Sequence, residues 1–477
     1  MFATGERLLS DALAELGFND ESCWDQDTKL FAINTLPWSR TEIIKLPSAA
    51  SRTRYGPSQA QYGLAHRNGS QKGLGALDVF PLHSAYPAQK ATIEEIQTNV
   101  YELRNSQFVV QVSNGAITSL FDIAADRELI PKDAKAGQLV IYDDKPLYWQ
   151  AWDVEVYHLQ SRQELEPSKV TIAENSVHRV SLVIETKVSD KSWVKTTISL
   201  PAAVGNTPSA IEFDAEIEWH ETMRFLKVEF PVDIVNTEAS YETQFGIVRR
   251  PTHYNTTWDM AKFEVCCHKW ADLSEATYGV SILNDSKYGF AVAGNVMRLS
   301  LLRSPKAPDA HADMGSHKTR YAIFPHKGGL DERTVRKAFE FNNPLKIVGR
   351  QGLHPSPSSL HSGLLNPFHI YGAPNLVLDT IKRGEDDEDV SRGELPIKKG
   401  HSIILRIYDS LGGKSKGVLT WGDVDVKKVI KVNALEDEEG EPLDISDMRV
   451  GAEEVKEKGV PIEIRAFEVA SYKLLLA

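Results

Sequence analysis

Cysteine is almost absent. Three occur in 477 residues, Cys23, Cys266 and Cys267, too few for a disulfide framework and suited to a reducing compartment or one that assembles this fold without bridges. No C-x-x-C pair is present, which excludes a zinc ribbon. Long apolar runs are missing too: nowhere do about 18 uncharged apolar residues follow one another, so no transmembrane helix is expected. The N-terminal stretch carries Glu6, Arg7, Asp11 and Glu15 among its apolar residues and lacks the unbroken apolar core of a secretory signal. Positive charge is in deficit, 54 Lys and Arg against 66 Asp and Glu for a net of −12. That balance argues against a nucleic-acid backbone as partner and leaves neutral ligands such as sugars open. No G-x-S-x-G, P-loop or Rossmann glycine fingerprint is found, and no internal repeat.

What is present suits several large cores. Hydrophobic residues make up 42% and charged residues 25%, and the length allows roughly two to four domains. The first element reads as a helix, with Leu8, Leu9, Ala12, Leu13 and Leu16 on one face, Thr4 as N-cap and Gly17 at the C-cap. Thereafter the period is two. Ile211 to Trp219 alternates apolar with acidic residues at every step, the pattern of a half-buried antiparallel strand with one wet face. Leu226, Val228 and Phe230 keep that rhythm, as do Val180, Leu182 and Ile184, and Ile403, Leu405 and Ile407. One later helix is expected from about Asp331 to Phe341. Many short strands with turns between them predict sandwiches. A lone amphipathic helix sits oddly in such a chain: either it docks on a sheet, or its sister helices lie upstream, and the second is the more consistent reading. Three stretches read as loops or boundaries: 47–75, 352–363, and the acidic run 383–393, taken as a solvated hairpin tip.

Several groups of residues invite chemistry, each with a plainer reading beside it. His311, Asp313 and His317 offer ligand types and spacing that a divalent metal uses, but Asp and His in a long polar loop also bond their own backbone. The same segment, 303–317, with Arg303 and Asp309, suits a loop lining a sugar cleft. Trp149 and Trp152 with Asp153 resemble a carbohydrate platform beside a hydroxyl acceptor, although sheet cores use tryptophan as well. Asp259 and Glu264 are five residues apart, hence on opposite sides of a strand, and make a poor acid–nucleophile pair for glycoside hydrolysis. Cys266 and Cys267 read as strand residues, one inward and one outward. Sequons at Asn68, Asn255 and Asn284 are weak signals.

Longer stretches are more specific. Residues 242–265, 268–275, 278–290 and 294–317, together with 34–40, 141–154 and 405–413, resemble the α-mannosidases of glycoside hydrolase family 38, most closely the cytosolic and fungal vacuolar branch. The resemblance runs from the first helix nearly to Ala477. It implies the C-terminal part of a retaining exo-α-mannosidase. In that family an α/β catalytic domain, which carries the Asp nucleophile and most zinc ligands, precedes a three-helix bundle and then β domains. No position here matches the nucleophile or the zinc motif, and His311-Ala-Asp313 has neighbours of the β region, so the metal role is not carried onto it.

The expected fold is mainly β: consecutive antiparallel β-sandwich domains with a large central sandwich, preceded by one orphan helix of a helical bundle. The expected boundaries are 1–26 for the last bundle helix, 27–90 for a small β domain, 91–350 for the large sandwich and 351–477 for a C-terminal sandwich. The expected function is that of an α-mannosidase β region, inactive alone, that supports the catalytic domain and walls the sugar pocket. Its rim candidates are Arg303, Asp309, Asp313, His317, Trp149 and Asp153. Zinc or another divalent metal belongs to the complete enzyme, with none expected on this chain. Expected partners are mannose-containing oligosaccharides, the N-terminal catalytic domain and further copies of the chain in a homo-oligomer, in a cytoplasmic or vacuolar setting. The alternative is a stand-alone, non-catalytic carbohydrate- or protein-binding β protein.

Overall fold

The computed structural model describes residues 2–53, 62–66, 75–81, 90–205, 207–351, 368–390, 400–422, 424–451 and 455–477. They divide into two compact units, one of residues 1–86 with 343–477 and one of 87–342. Strands dominate both, as the period-two patterning requires.

The unit 87–342 is built on a nine-stranded and a six-stranded antiparallel sheet, with a smaller five-stranded sheet at 92–128. The six-stranded sheet runs Gln163–Glu164, Gln138–Asp143, Arg224–Pro231, Val296–Arg303, Gly289–Ala293, Val265–Cys266. Its inner face packs on the nine-stranded sheet through Phe230, whose ring lies 5.6 Å from Phe213 and 6.0 Å from Tyr321, and through Phe290, 6.1 Å from Tyr241. The alternation in Ile211–Trp219 puts every odd residue in this core and leaves the acidic ones half-buried or exposed. Helix Glu332–Asn342 buries Thr334, Val335, Ala338 and Phe341. It is pinned by Thr334 to Ser281 at 3.0 Å, and Ser281 in turn donates to Asp272, the partner of His326.

In the other unit, Lys29–Asn34 pairs on one side with Gly75–Pro81 and on the other with Lys346–Arg350, inside a five-stranded sheet. The described residues between 368 and 477 form a sandwich of two four-stranded sheets around Leu405, Ile407, Leu419, Trp421, Val460, Ile462 and Leu474. Helix Phe2–Glu15 ends at Gly17, whose φ of +79° is the left-handed cap conformation expected there. Thr4 is not its cap, since the helix begins two residues earlier. Only Leu13 of its apolar face is buried, against Phe18, Phe31 and Val348. Leu8, Leu9 and Leu16 are 59%, 46% and 48% exposed.

The acidic run departs from its expected form. Asp387 is buried, accepting from the Ser402 backbone at 2.7 Å, the Ser402 hydroxyl at 2.6 Å and Arg383 at 3.0 Å. Asp386 pairs with buried Lys473 at 2.5 Å. Only Glu385, Glu388 and Asp389 face solvent to any extent expected of a solvated tip. Residues 352–363 lie outside the described residues. Among the described residues no helix is long and apolar enough to cross a membrane.

Candidate functional site

The outer face of the six-stranded sheet carries the polar half of its alternating strands. On Arg224–Pro231, Leu226, Val228 and Phe230 turn to the core, so Phe225, Lys227 and Glu229 turn the other way. Register sets Tyr142, Val140 and Gln138 beside them on one flank, and Arg303, Ser300 and Arg298 on the other. In a two-layer sandwich this face would be wet; here two covering segments, 144–165 and 253–264, close over it, and Lys227 and Glu229 are 0% and 4% exposed.

Burying charges under a loop requires partners. Lys227 has Glu264, which also accepts from Ser300, and its ammonium lies 4.2 Å from the Phe225 ring centroid. Burial drives the Lys227 ammonium below the ordinary lysine range against the pull of Glu264. Glu229 gathers Arg162 at 2.7 Å, Arg298 at 2.7 Å and the Tyr142 hydroxyl at 3.0 Å. Burial alone would raise its carboxyl, but the two guanidinium groups outweigh burial and hold it below the usual range. His158 packs against Tyr142, Phe225 and Phe263, with Nδ1 on the Glu155 carbonyl at 2.7 Å. Burial first, then the neighbouring Lys227, pushes its imidazole down to about 4.

Above this buried layer the covering segments display large apolar side chains, most of them aromatic. Leu147, Tyr148, Trp149 and Trp152 are 67% to 74% exposed, and Trp258 is 80% exposed. The rings of Trp149 and Trp152 stand edge to face, 6.1 Å apart. Arg303 holds the tryptophan segment from below: it grips the carboxylate of buried Asp144 with Nε at 2.7 Å and Nη2 at 3.1 Å, and Nη2 also reaches the carbonyls of Gln150 at 2.9 Å and Asp153 at 2.7 Å. The Lys306 backbone donates to the Gln150 side chain at 2.9 Å, tying the root of the 305–314 loop to the same segment.

Of the residues singled out in the sequence, Arg303, Trp149 and Asp153 therefore come together. Asp309 and His317 make local bonds: Asp309 accepts from the His311 backbone at 2.8 Å, and His317, which lies on strand Gly315–Lys327 rather than in the expected loop, has Nε2 2.7 Å from the Asp313 backbone carbonyl. Asp259 closes a capping box on Thr256 at the short helix Thr257–Met260, away from the role of Glu264 under Lys227. Cys266 is exposed and Cys267 buried, opposite ways as expected, although the strand Val265–Cys266 ends before Cys267. Asn284 is buried and bonded to the His268 carbonyl at 2.6 Å, which removes it as a glycan acceptor in the folded chain. Sequence reading missed Asp144, His158, Lys227 and Glu229; charges at alternate positions of an otherwise apolar strand, 227 and 229, were the available signal.

Among the described residues, one group of at least three His, Cys, Asp or Glu ligand atoms converges: Asp387, Asp389 and His401. It does not fit a zinc ion, because Arg383 Nη2 bonds all three at 2.8 to 3.0 Å and so takes the position and the charge a cation would. His311, Asp313 and His317 do not converge.

Comparison with known proteins gives these features a setting. Residues 103–311 match the glycosyl hydrolases family 38 C-terminal domain, and residues 375–472 the glycosyl hydrolases family 38 C-terminal beta sandwich domain. The chain is 44% identical over 380 residues to "Alpha-mannosidase" of Saccharomyces cerevisiae, covering 77% of this chain and 34% of that protein. It is 36% identical over 417 residues to "Alpha-mannosidase 2C1" of Homo sapiens, covering 86% of this chain and 36% of that protein. The matched region thus spans about a third of these relatives' length. In fold, the chain resembles the crystal structure of an alpha-mannosidase from Enterococcus faecalis V583, with a TM-score of 0.67 over 99% of this chain and 59% of that one, at 14% identity.

Proposed function

The chain belongs to glycoside hydrolase family 38, as the C-terminal region of its α-mannosidases, and from that premise we propose that it serves the hydrolysis of terminal α-D-mannose from glycans without carrying the reacting groups itself. The observation that carries this reading is the combination of high identity to α-mannosidases over most of the chain with coverage of only a third of their length. On this reading the remainder of the enzyme supplies a carboxylate nucleophile and a carboxylic acid for a retaining double displacement. Zinc there would polarise and template sugar hydroxyls. The residues of this chain hold no part in those steps.

Their part is to shape and support. Several exposed aromatic side chains on a face stiffened by buried ion pairs are what a surface needs to meet both a pyranose ring and the flank of a catalytic domain. The tryptophan segment, with Trp149 and Asp153, and the stretch running from the loop 305–314 into strand Gly315–Lys327, with Asp309, Asp313 and His317, form the sugar-facing rim. Mannose-containing oligosaccharides are then the ligand, and a cytoplasmic or vacuolar location suits the three unpaired cysteines.

The test is turnover. The purified chain, given a chromogenic α-mannoside with zinc or cobalt, is expected to release no chromophore above buffer, yet to bind methyl α-mannoside detectably by tryptophan fluorescence. Hydrolysis by this chain alone would overturn the supporting role. A chain that neither hydrolyses nor binds would leave only the structural half of the proposal.

A further inference from the structure

Arg303 was a candidate for direct contact with sugar, but its geometry assigns it elsewhere. Its side chain is 17% exposed and that of Asp144 is 1% exposed. Nε and Nη2 are committed to the Asp144 carboxylate and to the carbonyls of Gln150 and Asp153, all within 3.1 Å, while Nη1 has a longer 3.5 Å approach to the Ala151 carbonyl. Three carbonyls from one five-residue stretch thus aim inward at a single guanidinium. On the same stretch the side chains of Trp149 and Trp152 stand exposed, at 69% and 67%.

The backbone carries the mark of this arrangement. Trp149 has φ of +53°, a left-handed conformation that a bulky side chain rarely adopts and that persists only where surrounding contacts enforce it. Its carbonyl accepts from Trp152 N at 2.8 Å and Asp153 N at 2.9 Å, closing a tight turn. The root of the segment is equally fixed: Asp144 N donates to the Met223 carbonyl at 2.8 Å. A strained turn, a buried ion pair and an outward tryptophan pair are one construction.

We propose that Arg303 and Asp144 are positioning residues, whose buried pair holds residues 149–153 so that Trp149 and Trp152 stand preformed as a platform for the C–H face of a hexose ring. The inference rests on the reading that this surface meets the glycan, and deepens it by assigning affinity to preorganisation of the loop. Arg303 then touches no sugar. Lysine cannot replace it, since an ammonium cannot grip a carboxylate in two places and bond carbonyls from the same plane.

Two readouts test this on the full chain. In the first, methyl α-mannoside binding is followed by fluorescence for the wild type, Trp149→Ala, Arg303→Gln, Asp144→Asn and the Arg303→Gln/Asp144→Asn double variant. All four variants are expected to bind about tenfold more weakly, the double no worse than its parents, and Arg303→Lys to recover only part of the loss. In the second, the nine tryptophans are labelled with 5-fluorotryptophan and followed by 19F NMR without ligand. Arg303→Gln should move the Trp149 and Trp152 signals and leave those of buried Trp270 and Trp421, which separates release of the loop from general unfolding. Unmoved Trp149 and Trp152 signals, or wild-type affinity in Arg303→Gln beside weakened Trp149→Ala, would overturn the positioning role while sparing the sugar-facing surface. Wild-type affinity in Trp149→Ala, or no binding by the wild type, would overturn the platform and the reading it rests on.

Discussion

His158 shows how much one buried side chain can tie stability to pH. Its imidazole sits among Tyr142, Phe225 and Phe263, with an Nε2 that has no hydrogen-bond partner, and its folded pKa is about 4. In the unfolded chain the same group titrates near 6.5, so between those values the unfolded state binds a proton the folded state refuses. Stability from this residue is complete above about pH 6.5 and falls as pH drops towards 4, by up to about 3 kcal/mol. Urea unfolding at pH 7 and pH 4.5 should therefore show a smaller loss for His158→Phe than for the wild type; equal losses would refute the assignment. The Lys227–Glu264 pair obeys a different rule, since removing one member strands the other. Lys227→Met is expected to cost about 3–5 kcal/mol, and Lys227→Met with Glu264→Gln to recover much of it. A double variant no more stable than the single one would contradict the pairing.

Within elements, close approach decides what a position tolerates. Gly289, on the strand beside Val265–Cys266, has no room for a Cβ, which would lie 2.8 Å from Glu264 Oε1 and 2.9 Å from Ser300 Cβ. Gly289→Ala should displace Glu264 from Lys227 and destabilise by about 1–3 kcal/mol in a thermal or urea melt; in a Lys227→Met/Glu264→Gln background the penalty should shrink. The acidic turn after Leu376–Arg383 makes the same point about charge. Five carboxylates in sequence suggest solvent, yet Asp387 caps Ser402 and binds Arg383 from a buried position. Asp387→Ala is expected to cost about 2–4 kcal/mol, whereas exposed Glu388→Ala should be close to neutral.

At the scale of the molecule, the N-terminal helix leaves most of its apolar face uncovered. Its leucines at 8, 9 and 16 are exposed while Leu13 alone is buried, and contiguous apolar surface of this kind drives association. The chain should self-associate at high concentration by light scattering, and Leu8→Glu/Leu16→Glu should reduce that association without altering the melting of the sheets. A clean monomer at all concentrations would count against it. The other whole-molecule feature is covalently remote pairing: Lys346–Arg350 completes the sheet begun at Lys29–Asn34, more than 300 residues away in sequence. Such pairing has a high loop-closure cost and couples the N-terminal segment to the correct folding of everything between.

The amino-acid sequence determined by itself what is local. Period-two alternation placed Leu226, Val228 and Phe230 in a core, a glycine at 17 placed a helix end, and adjacent cysteines at 266 and 267 were assigned to opposite faces of a strand, because each follows from the geometry of a few bonded residues. Long stretches such as 242–317 were enough to indicate the family. Tertiary structure alone decided what covers the polar half of each strand. Alternation puts Lys227 and Glu229 on the face opposite the core, but the segments that bury them lie elsewhere in the chain, and Arg303 reads as a rim residue because its carboxylate, Asp144, is 159 residues away. A charged side chain carries no local sign of whether it meets water, a ligand or a buried counter-ion, because that depends on which distant backbone folds over it.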